Sequence, residues 1–352
     1  MNDVSQYLIN KDESIRKAIE LIDKSARKIV FVIDSEGKLY STITDGDIRR
    51  WIIKTGGIKG NVEDIGNKNP VFFEKDYSVD KVKKILLSNK VEAIPIVNKE
   101  KKIIKILFWD DIFQEEKKDF SQIYLPVVIM AGGKGTRLDP FTRILPKPLL
   151  PIDDKAIIEV IMDDYAKFGM KIFYITINHR AKIIKAYFEE QKSSYSIEFI
   201  EEDTPLGTAG ALKLLENKVS TPFFVSNCDI MIKEDYAKIY NFHKKNNFTL
   251  TLVGSMQHHT IPYGVCEIEN GGILRRVNEK PEYDFLINTG MYLLNPETFR
   301  FIPHNKFYDI TDLISDLKKN NYKVGVYPVS EKSWIDLGQW DKYKLSLDKL
   351  GL

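Results

Sequence analysis

The sequence predicts an α/β protein in two parts: a doubled unit of helices and strands over the first third, then a larger domain on a mostly parallel sheet covered by helices. Three observations predict it. Two segments 64 residues apart, VFVIDSEGKLYSTITDGDI (residues 30–48) and IPIVNKEKKIIKILFWDDI (residues 94–112), align without gaps. From residue 126 onward, short β-rich runs alternate with helical patterns, the arrangement of a sheet covered by helices. The first of these runs, YLPVVIM (residues 124–130), leads straight into the glycine-rich stretch AGGKGTRL (residues 131–138). Ligands in such folds sit at the carboxyl ends of the strands.

At 352 residues the chain has room for about two domains. The net charge of +2, from 52 basic and 50 acidic residues, lacks the basic surplus of a nucleic-acid binder. Two cysteines, Cys228 and Cys266, are expected as free thiols in a reducing compartment. No signal-type apolar core opens the chain, and no run approaches the roughly 18 apolar residues of a membrane helix. A cytoplasmic location away from the membrane is therefore expected.

Each of the two aligned segments has a β-rich run, a polar turn, a second β-rich run and an acidic residue opening a helix. A helix precedes each. Ile15, Ala18, Ile19 and Ile22 form the apolar face of the first, and Val79, Val82, Ile85 and Leu86 that of the second. Ser14 and Ser78 stand where N-caps belong. A unit of about 60 residues buries little core alone, so the two are expected to pack together. Asp47 and Asp111 each begin a helix, where a carboxylate serves as a cap whatever else it does.

This pattern resembles a tandem CBS pair (a Bateman module), over residues 1–118, with repeats at about 1–60 and 61–118. The resemblance is most specific in STITDGDIRR. There it implies an adenosine-nucleotide pocket lined by Thr44 and Asp47. The second repeat keeps Asp111 but departs at the threonine position, which is Phe108. Residues 119–125 read as a linker and 126–352 as the second domain.

The glycine loop fits neither common phosphate cradle. A Walker loop needs Gly-Lys-Ser/Thr four residues after a first glycine, and that is absent. The dinucleotide fingerprint needs a glycine where Leu138 stands. A phosphate-binding design remains. Gly132, Gly133 and Gly135 let the backbone approach a ligand and turn its N–H groups toward an anion. Arg137 adds a fork of donors suited to phosphate oxygens. Lys147 is stiffened between Pro146 and Pro148 and suits a second phosphate.

The whole string resembles the motif of sugar-1-phosphate nucleotidylyltransferases, G-x-G-T-R-L-x-P-x-T-x-x-x-P-K-P-L. Gly133, Gly135, Thr136, Arg137, Leu138, Pro140, Thr142, Pro146, Lys147, Pro148 and Leu149 all match it in place. The resemblance implies that Ala131, Gly132, Gly133, Gly135, Thr136 and Arg137 hold the nucleoside triphosphate, and that Lys147 reaches phosphate oxygens at the reacting centre.

Further stretches match the same family. In EEDTPLGTAGAL, Gly207 and Thr208 are implied in nucleotide binding. In FFVSNCDI, Asp229 closes an apolar strand, where an α/β enzyme puts a metal-binding carboxylate. Cys228 replaces the family's usual glycine before it. SWIDLGQW offers a second acid, Asp336, and hard carboxylate oxygens suit Mg²⁺. Tyr263, Gly264, Glu279, Lys280, Asn288 and Gly290 are implied in the sugar-phosphate pocket. Arg137, Lys147 and Asp229 are the expected catalytic residues.

The expected fold is thus an N-terminal tandem CBS (Bateman) module followed by a Rossmann-like mixed-sheet nucleotidyltransferase domain. The expected reaction joins a nucleoside triphosphate and a sugar 1-phosphate, releasing pyrophosphate. Resemblance to CBS-linked enzymes of the mannose-1-phosphate guanylyltransferase type, glucosamine-1-phosphate guanylyltransferases among them, favours GTP with mannose 1-phosphate or glucosamine 1-phosphate. Expected partners are these substrates, an adenine nucleotide at the CBS pair, and further copies of the chain. The alternatives are a non-catalytic nucleotide-sugar-sensing subunit on the same fold and an adenylate sensor acting through the CBS pair. The retention of Arg137, Lys147, Asp229 and Asp336 favours the enzyme.

Overall fold

Apolar spacing decides the elements of the first repeat. The computed structural model describes residues 4–25, 27–78, 81–82, 85–86, 91, 93–108, 121–191 and 194–338. The helix Ile15–Ser25 buries Ile15, Ala18 and Ile22, three of the four residues on the predicted face. Ser14 Oγ accepts from the backbone N–H of Lys17 at 3.3 Å, as an N-cap does. Strand β1 (Leu8–Asn10) pairs in parallel with β2 (Ile29–Ile33), and β2 pairs antiparallel with β3 (Leu39–Thr44). The helix Asp45–Thr55 follows directly.

The described strands of the second repeat reproduce this strand order. Strand β4 (Phe73–Glu74) is parallel to β5 (Ala93–Val97), which is antiparallel to β6 (Ile103–Phe108). Val82 and Leu86 are buried with Ile94, Ile96 and Leu107. Each repeat carries one more strand than its sequence suggests, because β1 and β4 are only 3 and 2 residues long and too short to show a period. The repeats share a core in which Tyr7, Ile29 and Phe31 meet Ala93, Ile106 and Phe108.

A seven-stranded sheet organises the rest. After β7 (Val127–Met130) come β8 (Pro151–Ile152), β9 (Lys155–Ala156), β10 (Ile172–Ile177), β11 (Ser196–Glu201), β12 (Phe223–Asn227), β13 (Ile230–Ile232) and β14 (Leu250–Thr260). Then follow β15 (Val265–Ile268), β16 (Leu274–Asn278), β17 (Glu282–Leu294), β18 (Val324–Val329) and β19 (Trp334–Asp336). The order in the sheet is β11-β10-β7-β12-β17-β14-β18. Strands β11, β10, β7 and β12 run parallel, and β17 is antiparallel to β12, so the sheet is mixed. Val128, Phe223, Val225, Leu294, Phe299, Leu313 and Leu317 belong to its main core.

The strand order reverses direction beside β7: β10 and β11 lie on one flank, β12 on the other. In open α/β sheets a crevice forms at such a switch point, outside the carboxyl ends of the parallel strands. The glycine loop leaves β7 at that position.

By internal contacts the chain forms two compact units. One holds residues 1–118, 256–285 and 328–332; the other holds 119–255, 286–327 and 333–352. The hairpin of β15 and β16 therefore groups with the repeats. Among the described residues no helix is long and apolar enough to cross a membrane.

Candidate active site

Four strand ends are stitched together around the glycine loop. Ala131 N donates to Thr176 O at 3.0 Å and Cys228 N to Met130 O at 3.3 Å. His179 N donates to Gly132 O at 3.4 Å, and Glu202 N to Ile177 O at 2.9 Å. The loop is glycine-rich for steric reasons. A Cβ on Gly132 would lie 2.5 Å from Glu202 Oε1. Gly135 has φ +67°, and a Cβ there would meet Lys147 Cβ and Thr142 Cγ2 at 3.0 Å each. Gly133 faces open space, with no heavy atom within 4 Å of a Cβ placed there. Thr142, nearly fully buried, donates to Gly135 O at 3.0 Å and so folds the loop back on itself.

That fold carries Lys147 into the crevice. Its ammonium is held against Asp229 Oδ2 in a pair almost sealed from solvent. Asp229 follows β12, and its backbone oxygen accepts from Leu337 N at 2.8 Å. The β13–β19 pairing, Ile230 opposite Asp336, brings the second acid alongside. All three groups converge on Gly338. A Cβ there would overlap Asp229 Oδ2 and lie 2.9 Å from Asp336 Oδ1 and 3.0 Å from Lys147 Nζ. Gly338 N donates to Asp336 Oδ1 at 2.8 Å, fixing that carboxylate.

The donor set fits a Mg²⁺ ion shared with phosphate. Mg²⁺ takes one or two carboxylates and completes its shell with water and substrate phosphate oxygens. Asp229 and Asp336 supply two. Among the described residues no cluster of three or more metal-ligating side chains forms. A dedicated all-protein metal cage is thus absent from that part of the molecule.

The other predicted positions are distributed as follows. Arg137 is exposed on the short turn Thr136–Leu138. Gly207 has φ +80° and lies against Tyr308 O and Asp309 Oδ1. The Thr208 hydroxyl donates to Asp309 Oδ1 and accepts from Ile310 N, both at 3.0 Å, so it anchors the helix Ile310–Lys319. Asn288 Oδ1 accepts from Gly290 N at 3.0 Å, and its amide donates to Tyr292 Oη at 2.7 Å. Gly290, at φ +86°, leaves room for Asn227 Nδ2. In the other unit, Tyr263 is exposed, and Gly264 lies against Glu279 Oε2. Lys280 has φ +43° at the bend before β17.

In the first repeat, Asp47 acts as the N3 residue of a capping box with Thr44. Its Oδ2 accepts from Thr44 N at 2.8 Å and Thr44 Oγ1 at 2.6 Å, and Oδ1 pairs with Arg50 at 2.5 Å. Phe108, at the second repeat's threonine position, is buried against Tyr7, with the Arg27 guanidinium 4.2 Å from its ring centre. Asp111 lies outside the described residues.

Sequence reasoning missed two residues that shape the crevice. Glu202 is buried beside Gly132 and accepts from Leu206 N at 2.9 Å. Burial pushes its carboxyl above the usual range, against the hydrogen bonds from Leu206 and Thr176. Arg180, at φ +59°, donates to the backbone oxygens of Arg143 and Ile144 and so pins the limb that leads to Lys147. In sequence Glu202 is one acid of a charged run, and Arg180 one base before a helix; only their strand-end positions hint at more. Cys228 and Cys266 are both free, and burial pushes the Cys228 thiol up to about 12, which leaves it inert.

Two family models match the chain. A nucleotidyl transferase family model matches residues 126–349, and the CBS domain model matches residues 5–54 and 62–118. The chain belongs to the nucleotidyl transferase family. It is 35% identical over 234 residues to a mannose-1-phosphate guanyltransferase of Yarrowia lipolytica, covering 60% of each chain. It is 31% identical over 233 residues to that of Saccharomyces cerevisiae, covering 60% of this chain and 61% of that one. The chain thus spans about three fifths of the length of these curated relatives. Among solved structures it resembles HddC from Yersinia pseudotuberculosis at 26% identity and TM-score 0.51, covering 65% of this chain and 100% of that one. The same protein complexed with GMP-PN matches at 25% identity and TM-score 0.51, with the same coverage.

Proposed function

We propose that the chain is a sugar-1-phosphate nucleotidylyltransferase, most naturally using GTP with mannose 1-phosphate or glucosamine 1-phosphate. Residues 126–352 are the catalytic domain in this proposal, and 1–118 the regulatory or assembly module. One observation carries it: Lys147, Asp229 and Asp336 converge at Gly338, while the Lys147 stem packs against Gly135 of the phosphate loop. The base assignment draws support from similarity to named guanyltransferases and to a protein crystallised with GMP-PN.

A sugar-phosphate oxygen attacks the α-phosphorus in line. One P–O bond forms as the bond to the β-phosphate oxygen breaks, and pyrophosphate leaves with that electron pair. The attacking phosphate is already ionised near neutral pH, so no general base is needed. The first obstacle is repulsion between two polyanions. Arg137 and Lys147 offset it and stabilise the charge that develops on the leaving pyrophosphate. The loop N–H groups around Gly133 orient the triphosphate, and Asn288 and Gly290 serve the sugar side. Mg²⁺ bound at Asp229 and Asp336 would supply Lewis-acid charge to phosphate oxygens.

In the same proposal an adenine nucleotide binds the first repeat at Thr44 and Asp47, displacing Arg50, with Asp111 the matching acid of the second repeat. The protein works as a cytoplasmic homo-oligomer in nucleotide-sugar biosynthesis, the legionaminic acid type included. The test is pyrophosphate release by the full chain across four nucleoside triphosphates and a panel of sugar 1-phosphates, with and without AMP. Turnover with GTP and one hexose or hexosamine 1-phosphate is expected. No turnover with any pair would overturn the enzyme in favour of a sensor.

A further inference from the structure

We infer that Arg16, in the first repeat, is a positioning residue for the hairpin that carries Tyr263, Gly264, Glu279 and Lys280. The inference rests on the proposed function and on the sugar-phosphate role that the family resemblance implies for those four residues. Arg16 Nη1 pairs with Glu282 Oε2 at 2.6 Å, and Nη2 pairs with Asp284 Oδ2. Glu282 and Asp284 are alternate residues of β17 and so lie on one face of the strand. The planar guanidinium fork spans both with one nitrogen each, a fixed geometry that the point charge of a lysine does not reproduce.

Three observations set this apart from a chance surface pair. Arg16 is the second residue of the helix Ile15–Ser25, near the positive end of the helix dipole, where a cation is disfavoured. Two carboxylates offset that cost. The contact lies two residues beyond Lys280, whose left-handed backbone makes the bend. At the same root, Ile261 N donates to Pro281 O at 3.0 Å and Gly264 packs on Glu279. Finally, the strand leading into the hairpin is gripped too: Met256 of β14 is buried in the first-repeat core with Ile15, Ile22, Ile48 and Ile52. The repeat therefore holds both strands at the base of the hairpin, and Arg16 supplies the charged half of the grip.

The experiment uses the full chain with Arg16→Ala, Arg16→Lys, the pair Glu282→Gln with Asp284→Asn, and the combination of that pair with Arg16→Ala. Arg16→Ala is expected to raise KM for the sugar 1-phosphate on the order of tenfold, leaving kcat and KM for the nucleotide unchanged. Arg16→Lys should recover part of the loss. The hairpin pair should give the same shift, and the combination should add nothing further. Hydrogen exchange of residues 261–285 should speed up in Arg16→Ala, whether or not substrate turns over. Additive effects, an equal rise in both KM values, or unchanged exchange would each overturn the inference. If the wild type turned over no substrate pair, the proposed function would fall, while the exchange comparison would still decide the grip.

Discussion

The Lys147 ammonium is held against the Asp229 carboxylate, with side chains only 11% and 7% exposed. A buried ion pair is weak evidence for stability, because desolvation offsets much of the attraction. Its location says more. The lysine comes from the limb that follows the glycine-rich loop and the aspartate from the end of a central strand, and they meet at the switch point. Removing one member leaves the other buried and unpaired. Lys147→Ala is expected to destabilise the fold by roughly 3–5 kcal/mol and to reduce turnover by about 10²-fold or more. Lys147→Ala combined with Asp229→Asn should recover much of the stability and none of the activity. Denaturant unfolding and pyrophosphate release, measured on the same preparations, check both halves.

Gly338 offers a cleaner probe, since it carries no charge. A methyl group there would overlap Asp229 Oδ2 and crowd Asp336 and Lys147. Gly338→Ala should therefore reduce turnover about 10²-fold, the scale of a 1 Å misplacement at a reacting centre. Its circular-dichroism spectrum should match wild type. Wild-type kinetics for this variant would show that the convergence has no catalytic meaning.

The acids Asp229 and Asp336 should make turnover depend on a divalent cation. Chelation is expected to abolish pyrophosphate release, and added Mg²⁺ to restore it. Asp336→Asn should raise the Mg²⁺ concentration for half-maximal rate on the order of tenfold or more. A rate that survives chelation, or an unaltered Mg²⁺ requirement in Asp336→Asn, would remove the metal from the site.

Glu202 predicts a pH effect with a definite sign. Burial holds its carboxyl above the ordinary value of 4.5, so the folded chain binds this proton more tightly than the unfolded chain. The stabilising contribution is present below 4.5 and is lost as pH rises through the folded value. Glutamine can still accept from Leu206 N but carries no charge. The stability of Glu202→Gln relative to wild type should rise with pH above about 4.5 and then level off. Urea unfolding at a series of pH values tests this; a difference that falls with pH would contradict it.

Much of this architecture was legible in the sequence, for reasons the structure makes plain. Helix faces such as Ile15, Ala18 and Ile22 follow a 3.6-residue period, and apolar strands such as β7 are bounded by glycines and prolines. Lys147, Arg137 and Asp229 stood out because glycine, proline and charge cluster around them. Glu202 and Arg180 did not, since their roles depend on where β11 and β10 end. The short strands β1 and β4 lack the length to show a pattern. The Arg16 contact with Glu282 and Asp284 joins residues more than 260 positions apart, a distance over which no local pattern reports.

His243 gives a second pH prediction, away from the active site. It is buried, with Nδ1 2.8 Å from Thr251 Oγ1 and Nε2 3.1 Å from Asn295 Oδ1. The Asn295 amide nitrogen donates to Phe248 O, which leaves Oδ1 as the acceptor facing the ring. The imidazole is therefore neutral, with the proton on Nε2, and Thr251 donates to Nδ1. Burial lowers its pKa below the ordinary 6.5, outweighing the bond to Asn295 and the nearby Glu297 charge. The unfolded chain then takes up a proton that the folded chain resists. This contribution to stability is full above pH 6.5 and is lost as pH falls from there through the lower folded value. Wild type should lose unfolding free energy between about pH 7.5 and pH 5.5, and His243→Gln should lose less over the same interval. Equal losses in the two proteins, measured by urea titration, would assign the acid sensitivity to other groups.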